Sequence, residues 1–224
     1  MKYISIDVET TGLEPENAML LEFGAMLEDT NNPRPRHETP TFERRILHSG
    51  QPIVGSPYAI AKFPRNVETL GLQADYDLIR DPAEATLFAE QHSLCQHFEL
   101  AAQFKQWLFD VGYVTDADEK GKIYLTVAGK NFPSFDYKFL QANVNFAKIF
   151  KIRHRTLDPG VLFIDWNEDN VPPGLSECKH RAGLFELVTH RAIDDAWDVI
   201  QLLRTQYAPD LVNKNIIKDF DGEF

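Results

Sequence analysis

Two acidic residues, one position apart, follow an apolar run at the start of the chain. Residues 3–6 read Tyr-Ile-Ser-Ile and lead directly into Asp7 and Glu9. Because side chains at positions i and i+2 of a β-strand point to the same face, this spacing places two carboxylates side by side. Oxygen ligands of this kind suit Mg²⁺ or Mn²⁺. Gly12 and Pro15 then predict a turn, so the pair should lie at the carboxyl end of the strand, where open α/β sheets place their sites.

Another acidic residue follows a second predicted strand. Residues 123–128 are β-branched and aromatic enough to form a buried strand, and residues 133–145, with a proline in the first turn, predict a helix. On that helix Asp136 shares a face with Phe139 and Leu140, so it should lie at the buried side. A buried carboxylate needs a cation, a metal or strong donors nearby. The alternative, in which Asp136 caps its own helix and stays solvated, is left open by the sequence.

The third acidic segment opens a helix predicted over residues 192–206. Residues 189–197 read Thr-His-Arg-Ala-Ile-Asp-Asp-Ala-Trp, and an apolar stripe follows at helical spacing. Asp195 is followed by an apolar row and should border the core. Asp194 is followed by a polar row and should face water, where an acid in the first turn favours the positive end of the helix dipole. His190 lies just ahead of the helix, a position that a structural histidine could also occupy.

The three segments together resemble the motifs of the DEDDh 3′→5′ exonucleases. This family of the RNase H-like superfamily includes proofreading exonuclease domains of DNA polymerases, oligoribonuclease and RNase T. Its sister subgroup carries a tyrosine four residues before the last aspartate; Arg191 stands there in this chain, so the histidine subgroup is the match. The residues that carry the resemblance are Asp7 through Leu13, then Asn131, Phe135 and Asp136, then His190, Ala192, Asp195 and Ala196.

The resemblance implies an α/β fold, an RNase H-like mixed five-stranded sheet with helices on both faces. It also implies a metal-dependent exonuclease that hydrolyses phosphodiester bonds at single-stranded DNA or RNA 3′ ends and releases nucleoside 5′-monophosphates. Two divalent cations, Mg²⁺ or Mn²⁺, would stabilise charge on the attacking and leaving oxygens. The expected metal ligands are Asp7, Glu9, Asp136 and Asp195, with Asp7 as the bridging ligand.

The resemblance assigns further roles around these ligands. His190 would be the general base that takes a proton from the attacking water, since an ordinary histidine has a pKa of about 6.5. The 3′-terminal nucleotide would contact residues that follow the first acidic pair and residues of the second segment, namely Thr10, Thr11, Gly12, Leu13, Asn131 and Phe135. Two of these have equally good structural explanations, Phe135 as a core residue packed on Phe139 and Asn131 as a helix cap.

Composition limits the kinds of partner. The chain has 224 residues, of which 43% are hydrophobic, enough for a sizeable core in a single domain over residues 1–224. Its net charge of −11 excludes binding of long nucleic acid through overall positive charge. The charge favours a substrate whose short single-stranded end enters a pocket, where bound cations supply the positive charge. Two local basic clusters could guide a strand or could be solvated faces: Arg34, Arg36, Arg44 and Arg45, and Lys148, Lys151, Arg153 and Arg155.

The remaining pattern predicts the organisation of the chain. Strands are expected near 2–8, 19–28, 41–47, 122–128 and 155–158, with a turn at 31–35 between the second and third. Residues 49–120 should form a largely helical insertion over one face of the sheet, and residues 218–224 a frayed tail. Asp158 is interpreted as structural.

No signal peptide or membrane span is predicted, and Cys95 and Cys178 lack any metal or disulfide spacing, which suits a reducing cytoplasm. Two alternatives to the leading function stay open: an oligoribonuclease-like hydrolase of very short RNAs, and a non-catalytic module that binds nucleic acid or a protein partner. The oligomeric state, and association with a separate polymerase, are not determined by the sequence.

Overall fold

A mixed five-stranded sheet forms the centre of the molecule, which we describe from a computed structural model over residues 1–114, 121–184 and 188–212. The strands in sheet order are β4 (Leu94–Gln96), β3 (Thr41–Leu47), β2 (Leu20–Asp29), β1 (Lys2–Thr10) and β6 (Val127–Ala128). β1, β2 and β3 are antiparallel neighbours, whereas β6 is parallel to β1 and β4 is parallel to β3. A separate parallel pair is formed by β5 (Ile123–Leu125) and β7 (Phe150–Ile152).

Helices lie on both faces of this sheet, as the sequence predicted. In chain order they are α1 (Pro57–Lys62), α2 (Pro64–Leu78), α3 (Pro82–Gln91), α4 (Leu100–Asp110), α5 (Asp136–Ala142), α6 (Val144–Ile149), α7 (Leu175–Arg181) and α8 (Ala192–Arg204). Short 3₁₀ helices occupy Arg36–Glu38, Pro159–Phe163 and Pro209–Leu211. None of the helices described here has both the length and the apolar content that a membrane span requires.

The alternation of β1 divides its side chains between two cores. Ile4, Ile6 and Val8 face a large core that contains α4, α5 and α6 and is rich in phenylalanine. Tyr3 faces the opposite side, where it packs in a smaller core with residues of α8. The Ser5 hydroxyl donates to the Ala196 carbonyl of α8 at 2.7 Å. Since odd positions of β1 face α8, the next odd positions also point toward that helix.

Helix α8 is fastened to β2 at both ends. At its start, the backbone N–H of Ala192 donates to Glu22 at 3.1 Å. At its last turn, Arg204 donates to both carboxylate oxygens of Glu28, at 2.9 and 2.6 Å, and both side chains are 1% exposed. These two anchors fix the direction in which α8 runs across the sheet. The apolar stripe predicted for this helix packs on β1 and β2 between them.

Four predicted elements differ from the structure. The single strand expected over 122–128 is two strands, β5 and β6, which belong to different sheets. The helix expected over 133–145 is two helices, because Asn143 ends α5 and its side chain accepts from the Phe146 N–H at 3.0 Å to begin α6. The last strand lies at Phe150–Ile152 instead of 155–158; only Leu157 of the predicted segment pairs, as an isolated bridge to Ala128. β4 interrupts the helical insertion and was not predicted, since its pairing with β3 depends on a distant strand.

Other predictions on organisation are confirmed or stay open. β2 and β3 form the expected antiparallel hairpin around the turn region 31–35. Cys95 and Cys178 are both free and buried. The predicted tail at 218–224 lies outside the described residues, and the assignment of the chain to a single domain stays a prediction.

Candidate active site

Strand β1 presents the first acidic pair on the face that α8 covers. Asp7 is partly exposed and Glu9 is 8% exposed, both beyond the point where β1 pairs with β6. In the antiparallel register Asp7 lies opposite Gly24 and Glu9 lies opposite Glu22. The pairing shifts by one residue after Glu9, so β1 ends irregularly immediately beyond the two carboxylates. The predicted placement of both acids at the carboxyl end of a strand is therefore observed.

Gly24 allows α8 to bring Asp195 to this pair. A Cβ atom added at Gly24 would lie 2.5 Å from the carbonyl carbon of Ala192 and from the nitrogen of Ile193, far inside contact distance. The first turn of α8 therefore lies directly on the backbone of β2. Asp195, in that first turn, is 5% exposed, which agrees with the prediction that it borders the core.

Asp136 reaches the same place from the other side of β1. It is the first residue of α5 and is 2% exposed. Its Oδ1 accepts from the backbone N–H of Val8 at 3.0 Å, a donor that lies between the two acids of β1. Within the described ranges this edge of β1 has no strand partner beyond Ser5, where its pairing with β6 stops. Asp136 thus accepts a hydrogen bond from a backbone N–H at the edge of β1, and this contact places it beside Asp7 and Glu9.

His190 approaches from the segment before α8. Its backbone φ is +54°, in the left-handed region, and its ring packs on Phe63 with 4.5 Å between ring centroids. Glu9, His190 and Asp195 each bring one ligand atom to within 4.8 Å of the other two. Glu9, His190 and Asp195 thus meet at one place, and Asp7 on β1 and Asp136 at the start of α5 lie beside them. Phe63, which supports the histidine, belongs to the insertion and was not identified from the sequence.

Burial raises the pKa of each carboxyl group, and repulsion from nearby carboxylates adds to this effect at Asp7, Glu9 and Asp195. Burial raises the pKa of Glu9 to about 9 and that of Asp136 to about 7. Burial, followed by repulsion from Asp198, raises the pKa of Asp195 to about 7. The pKa of Asp7 is also raised, first by burial and then by repulsion from the surrounding carboxylates. Without a cation, this cluster therefore favours protonated carboxyl groups.

The donor set fits divalent cations. Asp195 Oδ1 is buried and has no hydrogen-bond partner among the described residues. A buried carboxylate oxygen without a partner is costly, and a metal ion would satisfy it and hold the neighbouring carboxylates ionised. The residues available as ligands supply carboxylate oxygens and one imidazole. Carboxylate oxygens suit hard divalent cations such as Mg²⁺ and Mn²⁺.

A cleft of about 770 Å³ opens over the carboxylates. Its lining includes Asp7, Glu9, Asp195 and His190. Residues of the insertion form the opposite wall, and several of these were not identified from the sequence: Gly55, Ser56, Tyr58, Ala59 and Phe63. The partly helical insertion thus completes the cleft, as well as covering the sheet.

The predicted substrate contacts divide into two groups. Thr10, Gly12, Leu13 and Phe135 line the cleft. Leu13 is 75% exposed, an unusual exposure for a large apolar residue and one that leaves it free to meet a ligand. Phe135 also packs on Phe139, with 5.6 Å between ring centroids, so both interpretations of this residue apply.

Thr11 and Asn131 lie outside the cleft lining and hold loops in place. Thr11 is fully buried; its hydroxyl donates to the Val54 carbonyl and accepts from the Met19 N–H, both at 2.7 Å. The Asn131 side chain accepts from Lys130 at 2.8 Å, and its backbone N–H donates to Asp158 at 2.9 Å. Asp158 itself also accepts from the Gly160 N–H at 2.7 Å, which agrees with its structural interpretation.

The likeness of this chain to known proteins lies in its structure. No family model matches the chain, and no curated protein matches it by sequence. Solved structures do match. They include Escherichia coli exonuclease I with a dT13 oligonucleotide (18% identity, TM-score 0.51), the zinc-bound form of the E. coli exonuclease I complex with single-stranded DNA (17%, 0.51), and a further structure of exonuclease I (15%, 0.54).

This chain has the fold of exonuclease I. Each of the three alignments covers 94% of the chain and 42% of the exonuclease I chain, so the protein spans less than half the length of those structures. At such identities the likeness concerns the fold, and it confirms the predicted α/β class with its mixed five-stranded sheet.

Two predictions about α8 need correction. Asp194 does not face water: it pairs with Arg36 and accepts from Thr189 at 2.9 Å. Its partial burial favours the neutral form, but the hydrogen bonds from Arg36 and Thr189 outweigh this and lower its pKa. The polar row that follows is also covered, because α7 packs on it and Lys179 forms a buried ion pair with Asp198.

A network of ion pairs connects the elements that carry the site residues. Arg65 of α2 donates to Glu22 at 2.7 Å and to Glu43 at 3.0 Å. Arg191 donates to the same Glu43 at 3.1 Å. Glu22 thus joins α2, β2 and the start of α8. Its sequence signal was a glutamate inside an otherwise apolar strand, two residues before a glycine.

The first basic cluster is largely occupied by internal contacts. Arg36 pairs with Asp194, and Arg45 pairs with Glu68 at 2.9 Å. Arg44 donates to Gln103 at 2.7 Å. These residues therefore stabilise the fold, and guidance of a strand by this cluster is not favoured. The second cluster is exposed at Lys148, Lys151, Arg153 and Arg155.

Proposed function

We propose that this protein is a metal-dependent 3′→5′ exonuclease of the DEDDh type, acting on single-stranded nucleic-acid ends. The observation that carries the proposal is the convergence of Asp7, Glu9, Asp195 and His190 at one cleft of the size of a ligand site. Asp136 is buried beside this cleft, where it accepts a hydrogen bond from the Val8 N–H between the two acids of β1. The exonuclease I structures with the same fold contain single-stranded DNA, which supports such a strand as the substrate class.

The four carboxylates would hold two divalent cations, Mg²⁺ or Mn²⁺. When bound, these cations supply the positive charge that stabilises the attacking and leaving oxygens of phosphodiester hydrolysis. Asp7 would hold a cation together with these neighbours, because burial and then the charges of Asp136, Asp195 and Glu9 raise its pKa when no cation is bound. One exonuclease I structure of this fold contains zinc, which supports dependence on a divalent cation.

His190 is assigned the role of general base. Partial burial, and then the nearby charge of Lys62, lower its pKa from the ordinary value of about 6.5. The imidazole is therefore neutral near pH 7 and can accept a proton from the attacking water. Packing on the Phe63 ring limits its orientation. Cleavage of the terminal bond would release a nucleoside 5′-monophosphate.

The 3′-terminal nucleotide is assigned to the part of the cleft beside the end of β1. Thr10 and Gly12 border this position, while Leu13 and Phe135 offer apolar surfaces for a base. Contact between a base and an aromatic ring contributes about 1–3 kcal/mol in other single-strand binding proteins. Thr11 acts through the loop that it holds, because its side chain is buried.

A digestion time course tests this function. Short 5′-labelled DNA and RNA strands, single- and double-stranded, are incubated with Mg²⁺, Mn²⁺ or EDTA. We expect products that shorten from the 3′ end, absent with EDTA and with Asp7→Ala. A matched control is Asp77→Ala, which removes an exposed carboxylate of α2 outside the cleft.

The outcomes separate the alternatives. No cleavage of any strand with either metal would contradict the exonuclease assignment. Cleavage confined to RNAs of a few nucleotides would identify the oligoribonuclease-like hydrolase. Tight binding of strands without cleavage, unchanged in Asp7→Ala, would identify a binding module.

A further inference from the structure

A second cavity lies beside the active-site cleft. Its volume is about 390 Å³, within the range of ligand pockets. The two cavities share Ala18 as a lining residue, and both border helix α5 and the loop that joins β1 to β2. On α5, Phe139 and Ala142 line the second cavity, whereas Phe135, just before the helix, lines the cleft. The second cavity therefore continues the cleft along one helix.

The loop between the two cavities is tied to α5 by an ion pair. Lys138 of α5 donates to both carboxylate oxygens of Glu14, at 3.0 and 2.9 Å. Glu14 lines the cleft and the next residue, Pro15, lines the second cavity. A strand whose 3′ end lies in the cleft would therefore meet the second cavity directly across this loop.

Among the described residues that line the second cavity, none except the histidines has an acidic or basic side chain. Met19, Leu20, Pro52 and Phe139 contribute apolar surface. A phosphate group or a metal ion would find no opposite charge there. A flat, uncharged ring with polar edges, such as a nucleobase, matches such a surface.

Two stacked histidines supply polar groups to this cavity. The rings of His48 and His97 are 5.1 Å apart and nearly parallel, at 5°. His48 is fixed by a 2.7 Å hydrogen bond between its Nε2 and the Leu20 carbonyl. In His97, Nδ1 is buried and has no hydrogen-bond partner among the described residues. An unpaired buried acceptor is tolerated better than an unpaired N–H, so the proton belongs on Nε2.

His97 therefore presents an N–H donor to the cavity, and the exposed amide of Gln51 adds a donor and an acceptor. We propose that this second cavity is a subsite for a nucleobase of the substrate strand, upstream of the nucleotide in the active-site cleft. The inference rests on the proposed exonuclease function, since it takes the occupant to be the same strand.

The test places a fluorescent base along the strand. Single-stranded DNA oligonucleotides with 2-aminopurine at successive positions from the 3′ end are added, with Mg²⁺, to His190→Ala protein, which should bind them and cleave them only slowly. We expect a change in fluorescence at the 3′ position and at one separate upstream position. In the His190→Ala/His97→Ala protein only the upstream change should disappear, with affinity for the longer strand about 5- to 100-fold lower and affinity for a dinucleotide unchanged.

His92→Ala is the matched control, because His92 packs on Phe88 and lines neither cavity. A Gln51→Ala variant gives a second measurement at an exposed position that should not affect folding.

Three results would overturn the subsite. The first is a 3′ change with no upstream change. The second is an upstream change that both His97→Ala and Gln51→Ala leave intact. The third is equal occupancy by free 2-aminopurine riboside, which would make the cavity a site for a free nucleoside. Absence of any strand binding, including at the 3′ position, would instead contradict the proposed function itself.

Discussion

The orientation of the His190 side chain depends on an unusual backbone conformation and on contacts from another part of the chain. A non-glycine residue at positive φ is uncommon, although histidine is among the residues that adopt this conformation more readily. Its backbone φ of +54° directs the ring toward Glu9 and Asp195, and Phe63 packs against it. The strained backbone is thus compensated by contacts from another part of the chain.

Replacement of His190 tests its role as a base. We expect His190→Ala to lower the single-turnover cleavage rate about 10²- to 10⁴-fold, the contribution of a positioned general base. Binding of Mn²⁺, measured as a gain in Tm, should persist because the carboxylates remain. His37→Ala, at an exposed histidine, serves as the control and should leave the rate unchanged. A His190→Ala protein as fast as the parent would remove His190 from the mechanism.

The ionised form of Asp7 is destabilised by its surroundings in the site. Its pKa is raised by burial and by repulsion from the carboxylates around it. We expect Asp7→Asn to raise the free energy of unfolding in EDTA by about 0.5–2 kcal/mol while abolishing cleavage, as for other strained functional positions. Urea unfolding followed by circular dichroism measures the first effect. A decrease in stability in EDTA would show that repulsion does not dominate at this position.

At the scale of elements, α8 is the part of the fold on which the site most depends. It carries Asp195, and His190 precedes it by two residues. Its position on β2 requires a residue without a side chain at Gly24 and a hydrogen bond from Ala192 to Glu22. A change on β2, far from α8 in sequence, should therefore disturb the geometry of the site.

Gly24→Ala tests this dependence. The added methyl group would overlap the backbone of Ala192 and Ile193, so we expect a loss of about 1–3 kcal/mol of stability, as for other overpacked positions, together with reduced cleavage. The control is Gly71→Ala in α2, where no atom lies within 4 Å of the added Cβ. That control should be neutral or stabilising by up to about 1 kcal/mol. Equal urea midpoints for the two variants would contradict the close seating of α8.

The elements with strong internal patterns were predictable, and those that depend on distant partners were not. β1, β2, β3 and α8 lie within a few residues of their predicted bounds, because apolar periodicity along each segment specifies them. β4 forms only because β3 offers it an edge. The division of the predicted 133–145 helix depended on the local cap that Asn143 provides.

At the scale of the whole molecule, the concentration of acids in one cleft couples stability to pH. Asp136 and Asp195 have pKa values of about 7 and Glu9 of about 9 in the folded protein, above the ordinary values of 3.8 for Asp and 4.5 for Glu. The folded state therefore binds more protons than the unfolded state between these limits. By linkage, the free energy of unfolding falls as pH rises through this interval.

We expect the Tm in EDTA to decrease as the pH is raised from about 5 to about 9, through the interval set by these pKa values. Saturating Mn²⁺ should reduce this slope, because a cation that binds the folded state stabilises it by mass action and favours ionised carboxylates. Differential scanning calorimetry across pH, with and without the metal, makes the comparison. Parallel pH profiles in EDTA and Mn²⁺ would contradict metal binding by these carboxylates.

The sequence by itself determined the chemistry of the candidate site. Asp7 and Glu9 share a strand face and Asp195 lies on the core side of α8, because each of these placements follows from the period of one element. For Asp136 the sequence left a buried and a solvated position open. The tertiary structure alone decided how these carboxylates meet. Glu22 and Ala192 bond across 170 positions of sequence, and the insertion supplies Phe63 and Tyr58 to the cleft. Such contacts join residues that no local pattern relates, so they emerge only when the chain is folded.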